Sequence, residues 1–246
     1  MAEEYDIIVV GGGHAGCEAA AAAAQMGSKV LLITMNMGAI AQMSCNPAMG
    51  GVGKGQIVRE IDALGGFSGI ISDLSTVQFR MLNRSKGPAM WSPRTQNDRH
   101  LFAQAWRAQL EQIPNVHFRQ DIVTALLTNR LPDGTTRVSG VVTGIGSTFT
   151  ARAVVLTNGT FLGAVMHIGE KQFGGGRAGE KASHGITEQL RELGFETGRL
   201  KTGTPPRVDG RSIDYAMLVE QPGDDKPAKF SFADRTRPAQ KQLSCW

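Results

Sequence analysis

Short apolar runs, each stopped by glycine, set the rhythm of the first part of the chain. Tyr5-Asp6-Ile7-Ile8-Val9-Val10 is such a run, and Gly11-Gly12-Gly13-His14-Ala15-Gly16 follows it at once. Residues 17–26 carry six consecutive alanines, the strongest helix former, and Gly27 suits a helix C-terminus. Lys29-Val30-Leu31-Leu32-Ile33-Thr34 predicts a second buried strand. Strand, glycine turn, helix and strand within about 30 residues make the unit that a dinucleotide fingerprint requires.

The pattern then loosens. A loop rich in Gly and Met is expected over 36–55. A helix should follow with Ile57, Ile61 and Leu64 on one face, closed by Gly65-Gly66. A second loop is expected over 83–94. A helix over 98–110 should carry Leu101, Ala105 and Ala108 inward. A strand is expected over 115–119, and strands over 125–128 and 138–143 should pair around Pro132-Asp133-Gly134. Residues 153–157 predict a last buried strand, ending in Asn158-Gly159-Thr160. Ile186, Leu190 and Leu193 mark one more helix, stopped by Gly194. Beyond Arg199 the composition turns to Pro, Gly and polar residues.

Composition narrows the class. With 246 residues, 41% hydrophobic and 20% charged, the chain reads as globular. Its 31 glycines are in excess and clustered, which suggests backbone that approaches a ligand closely. A net charge of +4 permits a polyanionic partner without requiring one. No apolar run approaches the roughly 18 residues of a membrane span. The start, Met1-Ala2-Glu3-Glu4, lacks the basic region of a signal peptide. Cys17, Cys45 and Cys245 are odd in number and widely spaced, so neither a disulfide framework nor a cysteine zinc site fits. These features point to a reducing, cytoplasmic compartment. The five histidines show no metal-ligand spacing, and no metal site is expected.

The motifs carry more. In Gly11-x-Gly13-x-x-Gly16 the first glycine makes the tight turn, the second admits a pyrophosphate, and the third lets helix and strand pack closely. The residue that usually ends the second strand is acidic and holds a ribose hydroxyl; here it is Thr34. The late strand after a hairpin matches the order of an FAD domain of the glutathione-reductase type. Met49-Gly50-Gly51-Val52-Gly53-Lys54-Gly55 imitates a Walker A loop but fails it, with Ala48 in place of the first Gly and Gly55 in place of Ser/Thr. Cys45, in Ser44-Cys45-Asn46-Pro47, is either a reactive thiol or a packed one. Free N–H groups of the glycines that follow would favour its thiolate, and Pro47 excludes a regular helix or central strand. Arg80, Arg84, Lys86, Arg94 and Arg99, with Trp91 among them, suit nucleic-acid phosphates, a flavin pyrophosphate, or plain solvation.

Taken together, these segments closely resemble the MnmG (GidA) family of FAD-dependent tRNA uridine 5-carboxymethylaminomethyl modification enzymes. The matching stretches are Gly11 to Gly16, Gln42 to Gly55, Glu60 to Gly66, Ser85 to Ala89, Gly175 to Glu180 and Gly198 to Arg207, with Thr34 also usual there. The resemblance implies an α/β fold: a Rossmann-like FAD-binding domain of the glutathione-reductase type over 1–199, incomplete here. The start of a smaller inserted α/β domain that binds NADH would follow over 200–246. It implies FAD held by Gly11, Gly12, Gly13, His14, Ala15, Gly16 and Thr34, and a catalytic Cys45. It further implies a methylenetetrahydrofolate carbon donor, a tRNA substrate, a homodimer and a heterotetramer with the GTPase MnmE. The family's second functional cysteine has no counterpart in Cys245. On this basis the isolated chain is expected to be marginally stable. The related folate- and FAD-dependent tRNA uridine methyltransferases of the TrmFO type share the fingerprint, but carry an acid and a Met-Arg-Pro run after the second strand. Thr34-Met35-Asn36-Met37 has neither. A non-catalytic FAD-binding fragment is the other alternative.

Overall fold

The computed structural model describes residues 4–246; the Met1-Ala2-Glu3 start discussed above lies outside the described residues. In chain order the regular elements begin with β1 (Glu4–Val10), α1 (His14–Gln25), β2 (Val30–Thr34), β3 (Ala48–Gly50), α2 (Lys54–Ala63) and α3 (Ser68–Ser75). They continue with β4 (Thr76–Leu82), β5 (Ser92–Asn97), α4 (Arg99–Glu111), β6 (Val116–Gln120), β7 (Val123–Arg130) and β8 (Thr136–Thr143). The last are β9 (Thr148–Leu156), β10 (Val165–Ile168), β11 (Lys171–Gly174) and α5 (Ile186–Glu192). Two compact units result: the chain through Ala41 with Arg107–Leu200, and Gln42–Trp106 with Lys201–Trp246. Among the described residues no helix is long and apolar enough to cross a membrane.

The first unit is the Rossmann-like one. Its six-stranded sheet runs β6-β2-β1-β9-β8-β7. The pairs β6–β2, β2–β1 and β1–β9 are parallel, while β8 and β7 add antiparallel strands at one side. The unbroken apolar runs in β1 and β2 follow from burial on both faces: all five residues of β2 are buried. Cys17, Ala20, Ala21 and Ala24 of α1 recur at helical spacing and are buried. Tyr5, Ile8, Val10, Leu31, Ile33, Val141 and Ile186 belong to one core cluster. The exposed β10–β11 hairpin was not foreseen.

The second unit holds a three-stranded antiparallel sheet, β3-β5-β4; β3 and the start of β5 fall where loops were expected over 36–55 and 83–94, and β4 was not foreseen. β3 has only three residues, and β5 is polar and contains Pro93, so alternation did not reveal them. β3 ends opposite Arg94, which leaves Pro93 past the end of the ladder on that side. Behind the sheet lies a polar core. Asn97 donates from Nδ2 to the Ser72 carbonyl at 2.8 Å and to Ser75 Oγ at 3.0 Å, and accepts from Thr95 Oγ1 at 2.8 Å.

Two helices were placed correctly but turned. In α2 the buried residues are Gly55, Val58 and Asp62, while Ile57 is 55% and Leu64 90% exposed. A Cβ at Gly55 would lie 2.5 Å from the Pro93 carbonyl oxygen, so the smallest residue, not the most apolar, faces the sheet. In α4 the buried positions are Phe102, Trp106 and Leu110 rather than Leu101, Ala105 and Ala108. The larger side chains remove more apolar surface from water.

Residues 201–246 pack with 42–106. Asp73 fastens this segment by accepting the Phe230 N–H at 2.6 Å and the Ser231 N–H at 2.9 Å, and Asp62 accepts the Phe232 N–H at 2.8 Å. Burial pushes the Asp73 carboxyl above the ordinary carboxylate range, while the N–H groups of Phe230 and Ser231 pull it back. Asp73→Ala leaves two backbone donors without their acceptor. It is expected to cost roughly 2–4 kcal/mol in urea unfolding. An unchanged midpoint would show that residues 230–232 are held by other means.

Candidate functional site

The carboxyl ends of β1 and β2 bring together every residue expected to hold a dinucleotide. Gly11 takes φ +109°, in the region that favours glycine, and turns the chain off β1. Gly16 then packs on that turn: a Cβ there would lie 1.8 Å from the Gly11 carbonyl oxygen. Gly12 sits against Thr34, with its would-be Cβ 3.0 Å from Thr34 Oγ1. Gly13, the N-cap of α1, has extended backbone and no capping side chain, and a Cβ there meets nothing within 4 Å. Thr34 is buried at the end of β2.

Three further residues fix this turn. Thr157, just past β9, donates through Oγ1 to the carbonyls of Val10 and Gly11, each at 2.9 Å. Ala41 donates its N–H to Gly12 O at 2.8 Å, and its own carbonyl lies 3.1 Å from His14 Nε2. A carbonyl only accepts, so His14 carries its proton on Nε2 here. The result is an open helix start beside a glycine with free space above it. First-turn N–H groups of a helix lack partners within the helix and favour an anion. The residues therefore fit the pyrophosphate of a dinucleotide. Thr157 escaped the sequence reading because its partner lies 146 residues away.

Cys45 lies in the second unit, on the approach to β3, and is partly exposed. Its surroundings differ from expectation. Three of the nearby N–H groups are already used: Ala48 donates to Asn46 O at 2.8 Å, Gly51 to Pro93 O at 3.0 Å, and Gly55 to Gly51 O at 2.7 Å. Arginines define the turn instead. Arg99 Nη2 and Arg207 Nη2 both donate to the Cys45 carbonyl, at 3.0 and 2.7 Å. Thr204 Oγ1 lies 3.8 Å from Cys45 Sγ. Two cations from distant parts of the chain thus converge on one residue beside a thiol. Only the basic character of Arg99 was read from sequence; Arg207 and Thr204 entered there as the end of the Gly198–Arg207 segment.

The other thiols are of a different kind. Cys17 Sγ lies 3.6 Å from Gly12 O inside the first unit. Burial, reinforced by the Glu18 carboxylate, pushes this thiol up to about 12. Cys245 Sγ lies 3.6 Å from Gln78 Oε1. The Gly50–Gly55 cluster is partly structural, since a Cβ at Gly50 would meet Pro93 O at 2.1 Å and Phe230 Cζ at 2.7 Å.

The model of the family described as glucose inhibited division protein A matches residues 6–246. Over 245 residues the chain is 68% identical to a Cytophaga hutchinsonii protein named tRNA uridine 5-carboxymethylaminomethyl modification enzyme MnmG. That match covers 100% of this chain and 39% of the relative. A Porphyromonas gingivalis protein of the same name is 61% identical over 246 residues, with the same coverage. Among solved structures, Aquifex aeolicus GidA superposes with a TM-score of 0.91 at 43% identity, over 99% of this chain and 40% of that one. The GidA-related protein from Thermus thermophilus gives 0.53 at 26% identity, over 78% and 69%. The chain spans about two fifths of the length of the curated relatives it matches.

The geometry separates the two glycines of the turn. Gly13→Val has room for its side chain in the fold but fills the space above the helix start. Added flavin should then fail to bind while thermal stability stays near that of the parent. Gly16→Ala instead drives a methyl into the Gly11 carbonyl and should lower stability by several kcal/mol, on the order of other overpacked sites or more. Flavin binding by Gly13→Val equal to that of the parent would remove the pyrophosphate assignment. For the thiols, burial keeps Cys17 protonated at pH 9, since it pushes the thiol up to about 12. Iodoacetamide at that pH should label Cys45 in the native chain and leave Cys17 intact until denaturant is added. Native labelling of Cys17 would contradict its burial.

Proposed function

This chain belongs to the glucose inhibited division protein A family, and from that premise we propose that it is the FAD-binding part of an enzyme that modifies the wobble uridine of tRNA at C5. The observation that carries the cofactor half is the open Gly13 at the uncapped start of α1, directly after a parallel strand. The names of the relatives, at 68% and 61% identity over the whole chain, support the tRNA half. An aminomethyl or carboxymethylaminomethyl product, a methylenetetrahydrofolate carbon donor, NADH as reductant and an MnmE partner are finer parts of the same proposal. So are a homodimeric full-length form, a cytoplasmic location and an NADH region beginning near Leu200.

In this reading Gly11, Gly12, Gly13, His14, Ala15, Gly16 and Thr34 hold FAD. The backbone at Gly13, Ala15 and Gly16 receives the pyrophosphate, and the Thr34 hydroxyl stands where an acid usually serves the ribose. When bound, the flavin would supply redox chemistry. His14, tied to Ala41, orients the first turn of α1 rather than reacting.

Cys45 is the proposed chemical residue. Uracil C5 is a weak nucleophile. A thiolate adding to C6 forms an S–C6 bond and moves the electron pair of the C5–C6 double bond toward C5 and O4, which makes C5 enolate-like. Once C5 has bonded to carbon, loss of its proton and departure of the thiolate restore the ring. Alternatively the thiol serves as acid or base at C5. In both roles Arg99 and Arg207 hold the turn that carries the thiol.

The test uses this chain joined to the remaining sequence of the Cytophaga hutchinsonii relative. Cys45→Ser should reduce uridine modification by roughly two orders of magnitude or more, with flavin content unchanged, because a serine hydroxyl is much harder to ionise. Activity near that of the parent would overturn the role of Cys45. Loss of flavin or of folding would make it a packing residue.

A further inference from the structure

The basic stretch noted in the sequence divides once its partners are known. Arg84 is neutralised by Asp224 at 2.7 Å, and Arg99 is committed to the Cys45 carbonyl. Arg80 and Arg94 are different. They are register partners on β4 and β5 and so share one face of the antiparallel pair, with Cβ atoms roughly 4.5–5.5 Å apart. Arg80 bonds a neutral atom, Gln221 Oε1, at 3.2 Å. Arg94 is partly buried and, among the described residues, its side chain makes no hydrogen bond or ion pair. The flanking register positions on that face are Gln78, Leu82, Ser92 and Gln96, none of them acidic.

Like charges placed directly opposite each other destabilise a sheet. The fold nevertheless keeps two arginines as register partners and gives neither an ion pair among the described residues, although Asp224, which accepts the Met81 N–H, lies close by and pairs with Arg84 instead. We propose that Arg80 and Arg94 form a binding subsite for phosphoryl oxygens. Each guanidinium presents a planar fork of N–H donors that matches phosphate geometry, and its charge persists at any working pH. The phosphoryl group belongs to an RNA backbone, since the pyrophosphate of FAD is already assigned to the start of α1. The subsite does not depend on the chemical role given to Cys45.

The experiment measures two ligands on the same variants of the whole chain: a fluorescently labelled anticodon stem-loop RNA, titrated at several salt concentrations, and FAD. Arg94→Gln and Arg80→Gln should each weaken the RNA roughly three- to tenfold. Each should also lower the slope of log affinity against log salt by about 0.7–0.9, the loss of one phosphate contact. Arg94→Lys should keep the slope, since a point charge still releases the counterion. Arg137→Gln, at an exposed position on β8, should change neither ligand. If FAD weakens and RNA does not, or if neither ligand responds, the proposal is overturned. It is also overturned if Arg94→Gln lowers the thermal midpoint with ligand affinities unchanged, because the pair would then stabilise the sheet. A Cys45→Ser enzyme that stays active would leave these results untouched and reject only the role of that cysteine.

Discussion

The first unit depends on a contact that only glycine permits. α1 leaves β1 so closely that Gly16 lies over the Gly11 carbonyl, with no room for even a methyl group. That approach aims the first turn of α1 at the carboxyl edge of the sheet. Thr157 then secures the same carbonyl from the far side, joining the end of β9 to the turn. Position and opening therefore have one cause. The glycines that allow close packing beneath the turn leave the helix start bare above it, where a dinucleotide's negative charge is favoured.

How much of this was visible in the sequence follows from how local each feature is. β1, α1 and β2 were legible because their burial is continuous and their turn chemistry is contiguous in the chain. β7, β8 and β9 were legible for a similar reason: a hairpin turn lies between two β-rich runs. The second unit was not. Its sheet draws strands from segments containing Pro93, Gly50 and several arginines, and its interior is stabilised by Thr95, Asn97, Ser72 and Ser75 bonding to one another. A polar core satisfied by hydrogen bonds has the composition of a loop. Helix faces failed for a related reason. In α2 the contact with Pro93 demands Gly55, so the apolar Ile57 and Leu64 are turned outward.

The Cys45 turn shows the same limit from the functional side. The sequence placed a cysteine before Asn46-Pro47 and a run of glycines, and local reasoning looked to the neighbouring N–H groups for its electrostatics. Those of Ala48, Gly51 and Gly55 are occupied. The Cys45 carbonyl is held instead by Arg99 and Arg207, which lie 54 and 162 residues further along. Distances of that order are set by tertiary structure alone. The motif located the thiol, and the fold supplied its surroundings.

Two glycine clusters with similar composition thus do different work, and the difference lies in what a side chain would meet. Gly11, Gly16, Gly50 and Gly55 are packed against carbonyl oxygens, so their lack of a side chain is a requirement of folding. Gly13 meets nothing, and its backbone conformation is open to any residue. Neither packing nor backbone geometry explains a glycine at that position. Access from outside the fold does, because a side chain at Gly13 would occupy the space in front of the first N–H groups of α1. In the proposed reading, Gly13 is the position in the turn whose glycine serves the ligand rather than the fold.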